Sequence, residues 1–183
     1  YEMANYADLY SWGLDVTLGG TPIKTKDWRW NLNFTLGYSW NEIRNMKSSP
    51  QIFNLVSQTG GNKNGFPVNS LFSVPFAGLD PDTGAPLYYG PDGSVVTEAY
   101  MQSQQTDYLT YHGPIDPAYT GGLNSTLSWK NLSLNVFFSY QLGSWVRLNP
   151  SFSERYSDLN ALSKQFKNRW MASDGWFDTN TPS

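Results

Sequence analysis

Trp28-Arg-Trp-Asn-Leu-Asn-Phe-Thr-Leu-Gly-Tyr-Ser-Trp40 puts an apolar or aromatic side chain at every even position and a polar or small one at every odd position. Successive side chains of a β-strand point to opposite sides, so this alternation predicts one long strand with an apolar face and a polar face. Upstream, Tyr10, Trp12, Leu14, Val16 and Leu18 share one parity, while Ser11, Gly13, Asp15 and Thr17 share the other. Gly19 to Asp27, with its Gly-Gly pair, proline and lysines, reads as the turn joining two antiparallel strands.

A second pair follows much later. Leu123, Leu127 and Trp129 share a face before Lys130-Asn131, which reads as a turn; Leu132, Leu134, Val136, Phe138, Tyr140 and Leu142 share a face after it. Ser125 and Phe137 break the pattern, each standing on the wrong face. Between the pairs, Asn41 to Thr120 is rich in Gly, Pro, Asn and Ser, with turn signals at Thr59-Gly-Gly-Asn, Asp80-Pro-Asp-Thr-Gly84 and Gly90-Pro-Asp-Gly93. A small hairpin is expected over Ala77 to Tyr89. Phe66, Leu71, Phe72, Phe76, Leu79, Leu87 and Tyr88 supply more apolar surface than that hairpin would bury, so the excursion is expected to pack on a neighbouring loop or a partner. The last excursion, Ser144 to Ser183, carries Leu159, Leu162, Phe166 and Trp170 at helical spacing behind Ser157 and Asp158 as caps, which predicts an amphipathic helix over Asp158 to Met171.

Composition narrows the setting. Aromatic residues make up 16% of the 183 residues and charged residues only 15%, against roughly a quarter charged in an average globular chain. Apolar runs are far too short for a helical membrane span, which needs about 18 residues. A mean hydropathy of -0.48 does not exclude a membrane barrel, because strands hide their lipid face at every second position. A net charge of -3 gives no electrostatic reason for nucleic-acid binding. There is no cysteine, which removes disulfides, thiolate nucleophiles and cysteine-based metal sites. Tyr1-Glu2-Met3 opens neither a basic nor an apolar leader segment, so the chain is expected to begin within a longer protein.

Aromatic placement favours lipid over a second sheet. Trp28 and Trp30 stand at one end of the apolar face and Tyr38 and Trp40 at the other, with Leu32, Phe34 and Leu36 between them. Ten residues of strand span about 33 Å; tilted by roughly 40°, they project to about 25 Å, the height of the apolar band between the aromatic girdles of a membrane barrel. Tyr119 and Trp129 repeat that spacing on the neighbouring strand, and Tyr140 joins the same girdle. Arg29, Asn31, Asn33, Thr35 and Asn135 are then expected to face a polar lumen. Four strands cannot close a barrel whose smallest bacterial form has about eight. The expected fold is therefore all-β: at least four strands of a larger antiparallel transmembrane barrel, with long loops at one end and one short loop helix. The alternative is a soluble β-rich sandwich acting as a carbohydrate-binding module, and a third reading is a secreted glycan hydrolase.

Catalytic and metal chemistry find little support. Asp80, Asp82 and Gly84 resemble the start of a calcium loop, but Pro81 fills a spacer position and Pro91 stands where the bidentate glutamate belongs, so a β-turn is the reading. His112 is the only histidine and has no cysteine or second histidine with which to build a zinc site or a triad. The pair Glu42 and Asp80 has nothing specific to mark it as a glycosidase dyad. Three sequons at Asn33, Asn124 and Asn131 fall in or beside strands and carry no weight. No cofactor is expected. The loop aromatics Tyr88, Tyr89, Tyr100, Tyr108, Tyr111, Trp145 and Trp176 can stack on sugar rings or pack the loops together; Tyr88, Tyr89, Tyr100, Trp145 and Trp176 are the candidates for substrate or lid contact.

Three stretches carry a family resemblance: Thr21 to Asp27 leading into Trp28 to Trp40; Gly65-Phe-Pro-Val-Asn-Ser-Leu-Phe72 followed by Ala77-Gly-Leu-Asp-Pro-Asp-Thr-Gly84; and Asp116-Pro-Ala-Tyr-Thr-Gly-Gly-Leu-Asn124 through the Trp129 to Gly143 hairpin. With Lys167-Asn-Arg-Trp170, they resemble the C-terminal barrel of SusC/RagA-like TonB-dependent transporters of the Gram-negative outer membrane. Tyr10-Ser-Trp-Gly-Leu-Asp15 departs from the Asn-basic-Gly-hydrophobic-Glu pattern usual before the first turn. The resemblance implies import of glycans, oligosaccharides or peptides, a plug domain and TonB-contacting segment outside this chain, coupling to the TonB complex, and a SusD-like surface lipoprotein over the extracellular mouth. Short turns at one end of the strands and long loops at the other are the asymmetry of a bacterial outer-membrane barrel, so Gly19 to Asp27 and Lys130-Asn131 are expected to be periplasmic and Asn41 to Thr120 and Ser144 to Ser183 extracellular.

Overall fold

The computed structural model describes residues 6–148 and 164–171. Four long strands form one antiparallel sheet. Strand β1 runs Asp8–Lys24 and β2 Trp28–Arg44. After β2 the chain forms a one-turn helix α1 (Ile52–Leu55) and the short strands β3 (Ser70–Ser73), β4 (Phe76–Leu79), β5 (Pro86–Tyr89), β6 (Val95–Val96) and β7 (Thr110–Pro114). It then returns as β8 (Tyr119–Trp129) and β9 (Leu132–Leu142). The long sheet has the order β1-β2-β8-β9, so the two sequence-adjacent pairs lie side by side.

Register follows the hydrophobic alternation, because a slip of one residue would send every apolar side chain to the opposite face. Leu18 pairs with Phe34 and Phe34 with Leu123, which in turn pairs with Phe138. The expected turn over Gly19 to Asp27 is shorter than predicted. Strand β1 continues through Gly19-Gly20 to Lys24, and only Thr25 to Asp27 turn. Between the pairs Gly20–Leu32 and Ile23–Trp30, Thr21 and Pro22 together oppose Asn31, a bulge that accommodates a proline with no N–H to give to the ladder. Thr25 closes the turn: its backbone N–H donates to the Trp28 carbonyl (2.7 Å), and its hydroxyl oxygen accepts the Trp28 N–H (3.0 Å). At the other hairpin, Trp129 pairs directly with Leu132 across Lys130-Asn131, and Lys130 takes a left-handed φ of 52°.

Strand β2 also outruns its expected end at Trp40. Asn41 to Arg44 stay paired with Asp8 to Ser11. Ile43 is buried because Gly65 and Phe66 lie across it, with the Ile43 N–H donating to the Phe66 carbonyl (3.0 Å) and the Gly65 N–H to the Ile43 carbonyl (2.8 Å). The excursion therefore begins at Asn45.

That excursion has a core of its own. Ile52, Leu55, Phe72 and Leu109 are buried together, with Val56, Phe66, Val74 and Tyr108 packed around them. Strands β3 and β7 pair beneath this cluster, and β4, β5 and β6 make the expected hairpin with a third short strand added. Of the predicted helix over Asp158 to Met171, the part before Lys164 lies outside the described residues, and Lys164–Asn168 form a 3-10 turn. The short α-turn among the described residues is α1, in the other long loop. Trp170 is buried against the backbone of Gly84, whose φ of 70° and missing side chain admit the indole.

Candidate functional site: a two-faced sheet and its loop cluster

One face of the long sheet is apolar from edge to edge. Even-numbered residues of β2, their partners Tyr10 to Leu18 of β1, odd-numbered Tyr119 to Trp129 of β8 and even-numbered Leu132 to Leu142 of β9 share it. Leu18, Leu134 and Phe138 are each 62% exposed. The predicted girdle residues Trp28, Trp30, Tyr38, Trp40, Tyr119, Trp129 and Tyr140 all lie on this face and form two belts. At the turn end Trp28 and Trp129 are register partners with stacked rings, centroids 5.6 Å apart. At the loop end Tyr38 and Tyr119 are partners at 4.8 Å, and Trp12 with Tyr38 (5.3 Å) and Tyr10 with Trp40 (6.0 Å) extend the belt across β1.

Charge marks both limits of the apolar band. Above Trp40, the same face carries Glu42 and Arg44, ion-paired at 3.0 Å, with the guanidinium 4.7 Å from the Tyr10 ring centroid. Below Trp129, the Lys130 ammonium lies 5.3 Å from the indole. Cations over aromatic rims are favourable electrostatically, and a long basic side chain can reach from an apolar zone to water.

The two pattern breakers have structural reasons. Ser125, polar on the apolar face, accepts the indole N–H of Trp30 at 2.9 Å, so both polar atoms are satisfied. Phe137, apolar on the polar face and 66% exposed, lies over Gly122, where a side chain would crowd its ring. Tyr140 departs from a simple outward pose: it lies over Gly121 towards β2, where its hydroxyl donates to the Thr35 carbonyl at 3.3 Å.

The opposite face is mainly a mesh of uncharged polar groups, with Asp15 beside Gly37 as a charged group at mid-strand. Asn135 donates to Asn124 Oδ1 (2.8 Å) and to Thr126 Oγ1 (2.7 Å); the Thr21 hydroxyl donates to Asn31 Oδ1 (2.8 Å); Thr35 Oγ1 accepts the Gly122 N–H (3.1 Å). Asn33 shares this face, and Arg29 lies beside its partner Lys24 at the turn end. The first long loop folds towards this side: Asn41 Oδ1 accepts the Val68 N–H at 2.8 Å, and Ile43 is covered there.

The loop residues singled out from sequence do not converge. Tyr88 packs edge-on against Phe76 (6.4 Å), Tyr89 is 44% exposed beside it, and Tyr100 stands out at 71% exposure. Trp176 lies outside the described residues. Trp145 is held in place: its backbone N–H donates to the Pro114 carbonyl (2.8 Å), and its indole lies on Gly113, whose φ is 147°. Arg147, not singled out from sequence, donates from Nη2 to the Phe72 carbonyl and so ties the segment after β9 to β3. A lone arginine in a loop carries no sequence signal that would have marked it.

Asp80 makes a turn, as its spacing suggests. Its Oδ1 accepts N–H groups of Asp82 (3.0 Å) and Thr83 (2.8 Å) and the Thr83 hydroxyl (2.9 Å). These bonds, those from Thr83 above all, hold the carboxyl below its ordinary pKa. His112 is exposed, its Nε2 is 2.6 Å from Ser73 Oγ, and no group of potential metal ligands occurs among the described residues.

No protein-family model and no curated protein matches the chain. Among solved structures, it is similar to that of a RagAB peptide transporter (TM-score 0.70, 26% identity), over 97% of this chain and 20% of the other. It is similar also to the RagAB peptide importer in the open-open state (TM-score 0.68, 26% identity, 97% of this chain, 19% of the other). For the closed-closed state the TM-score is 0.67 at 26% identity, over 96% of this chain and 20% of the other. The chain thus spans about one fifth of the length of the chains it resembles.

Proposed function

We propose that this chain is a wall segment of an outer-membrane, TonB-dependent transporter barrel of the SusC/RagA-like kind in a Gram-negative bacterium, importing peptides, oligosaccharides or other glycans. In this reading the apolar face meets lipid, the polar face lines the lumen, and the loops beyond Arg44 and Leu142 shape the extracellular mouth beneath a SusD-like surface lipoprotein. The TonB complex would act through a plug domain elsewhere in the protein. The role is passage without catalysis.

The observation that carries the reading is the apolar face bounded by two aromatic belts and, beyond them, by charge. A contiguous apolar surface crossing four strands exceeds what a soluble monomer ordinarily exposes, and the belts repeat the height of a membrane barrel's apolar band. Open edges at β1 and β9 would be costly in lipid, which calls for further strands on both sides. Between the cargo classes, the likeness to a peptide importer favours peptides.

The test is uptake by cells lacking the parent gene, measured with labelled oligopeptides and oligosaccharides, together with fractionation of the tagged parent protein. Loss of uptake of one cargo class and recovery of the protein with detergent-extracted outer membranes are expected. Recovery in the aqueous fraction would instead favour a soluble carbohydrate-binding module.

A further inference from the structure

We propose that Arg147, Trp145 and His112 form a carboxylate-binding subsite between the two long loops, taking the free C-terminal carboxylate of a peptide; the proposal rests on the importer reading above. A cavity of about 240 Å³ opens there, lined by Leu71, His112, Trp145, Val146 and Arg147. Arg147 brings a positive charge to it, and no carboxylate lines the cavity among the described residues. The two ion pairs among the described residues, Arg44–Glu42 and Lys63–Asp107, do not involve Arg147.

The guanidinium is only partly satisfied. Arg147 Nη2 donates to the Phe72 carbonyl, while Nε is buried without a hydrogen-bond partner among the described residues. A guanidinium donor left unpaired is costly unless water or an anion meets it, and Arg147 lines the cavity through which either can reach the group. A guanidinium offers a planar set of donors that matches the two oxygens of a carboxylate.

The surroundings are built to hold that geometry. Gly113 leaves room for the Trp145 indole against the β7 backbone, and the Trp145 backbone N–H is fixed on the Pro114 carbonyl. The His112 ring stands 6.3 Å from the indole and is oriented by Ser73 Oγ. The cavity holds roughly one terminal residue, not a whole oligomer. Leu71, Val146 and the indole would pack on its apolar part while Arg147 meets its charge and the His112 ring flanks it. A hexuronate presents the same carboxylate, so an acidic glycan is the other source of this chemistry.

The test uses the complete parent transporter in detergent and a short peptide without acidic side chains, as the free acid and as the C-terminal amide. The free acid is expected to bind about tenfold or more tightly than the amide, the effect of losing a charge-assisted hydrogen-bond pair. Arg147→Gln should bring the free acid down to the affinity of the amide and so abolish the difference. An oligogalacturonide forms a third arm: if it binds in an Arg147-dependent way while the two peptides bind alike, the carboxylate site stands and its source is an acidic glycan. Equal binding of acid and amide, with no Arg147-dependent binding of the oligouronate, overturns the subsite but leaves the importer reading intact. Failure of all three ligands to bind, together with no uptake by cells, overturns both.

Discussion

Trp28 and Trp129 are register partners on β2 and β8, their rings stacked 24° from parallel with centroids 5.6 Å apart. Ten residues along both strands, Tyr38 and Tyr119 are partners in the same way. Two aromatic pairs ten residues apart on one apolar face define a band, with the long loops above it and the tight turns beneath it.

Phe34 lies midway between the belts and Asn33 lies on the polar face. In the proposed membrane barrel, Phe34→Arg is expected to destabilise the assembled protein by about 2 to 4 kcal/mol, as for a basic side chain near the bilayer midplane, and Asn33→Arg by well under half of that. Denaturant titration of the heat-modifiable gel form measures both. Equal effects would show that the face does not meet lipid.

Cysteine at exposed Glu98, in the first long loop, should be labelled on intact cells by an impermeant maleimide. Cysteine at Asn131, in the tight turn, should react only after the outer membrane is opened. The reverse pattern would invert the assigned topology.

A Cβ at Gly121 would run into the Thr35 carbonyl and the Tyr140 hydroxyl. Gly121→Ala is expected to cost about 1 to 3 kcal/mol, the usual range for overpacking. Adding Tyr140→Ala should recover only part of the loss, because the backbone clash remains. Full recovery would mean that the ring alone sets the constraint.

Phe72 is 1% exposed at the centre of the loop cluster. Phe72→Ala should cost the loop about 3 to 5 kcal/mol and expose it to limited proteolysis, while the long sheet keeps its heat-modifiable mobility. Loss of assembly as well would show that loop and sheet fold as one unit.

Asp80 is stabilised as a carboxylate by its bonds to Thr83 and Asp82, so its folded pKa lies below the ordinary 3.8. A depressed pKa contributes stability that is fully present above the unfolded value and is lost as pH falls through the folded one. The Thr83 amide should therefore keep its hydrogen-exchange protection down to about pH 4 and lose it in more acidic solution. Asp80→Asn should flatten that dependence. Protection independent of pH in the wild type would exclude the carboxylate as its source.

The alternation from Trp28 to Trp40 determined by itself that a long two-faced strand exists and which residues share each face, and the same period marked Tyr10 to Leu18 and Leu132 to Leu142 as strands; that the two pairs join in one sheet was decided by the pairing of β2 with β8. A period of two is a local property, so neighbours along the chain are enough to read it. Spacing alone also placed the Ala77 to Tyr89 hairpin and the turn at Asp80. Tertiary structure decided the rest. The bulge at Thr21-Pro22 lets β1 continue past Gly19-Gly20, because pairing with β2 outweighs local turn propensity. Ser125 is tolerated on the apolar face because Trp30, 95 positions away, donates to it. Leu109, next to β7, comes to Phe72 of β3 through the pairing of those two strands, and Ile52 and Leu55 complete the core. Arg147 reaches Phe72 across 75 positions of sequence, a contact between two loops that share no periodicity from which it could be read.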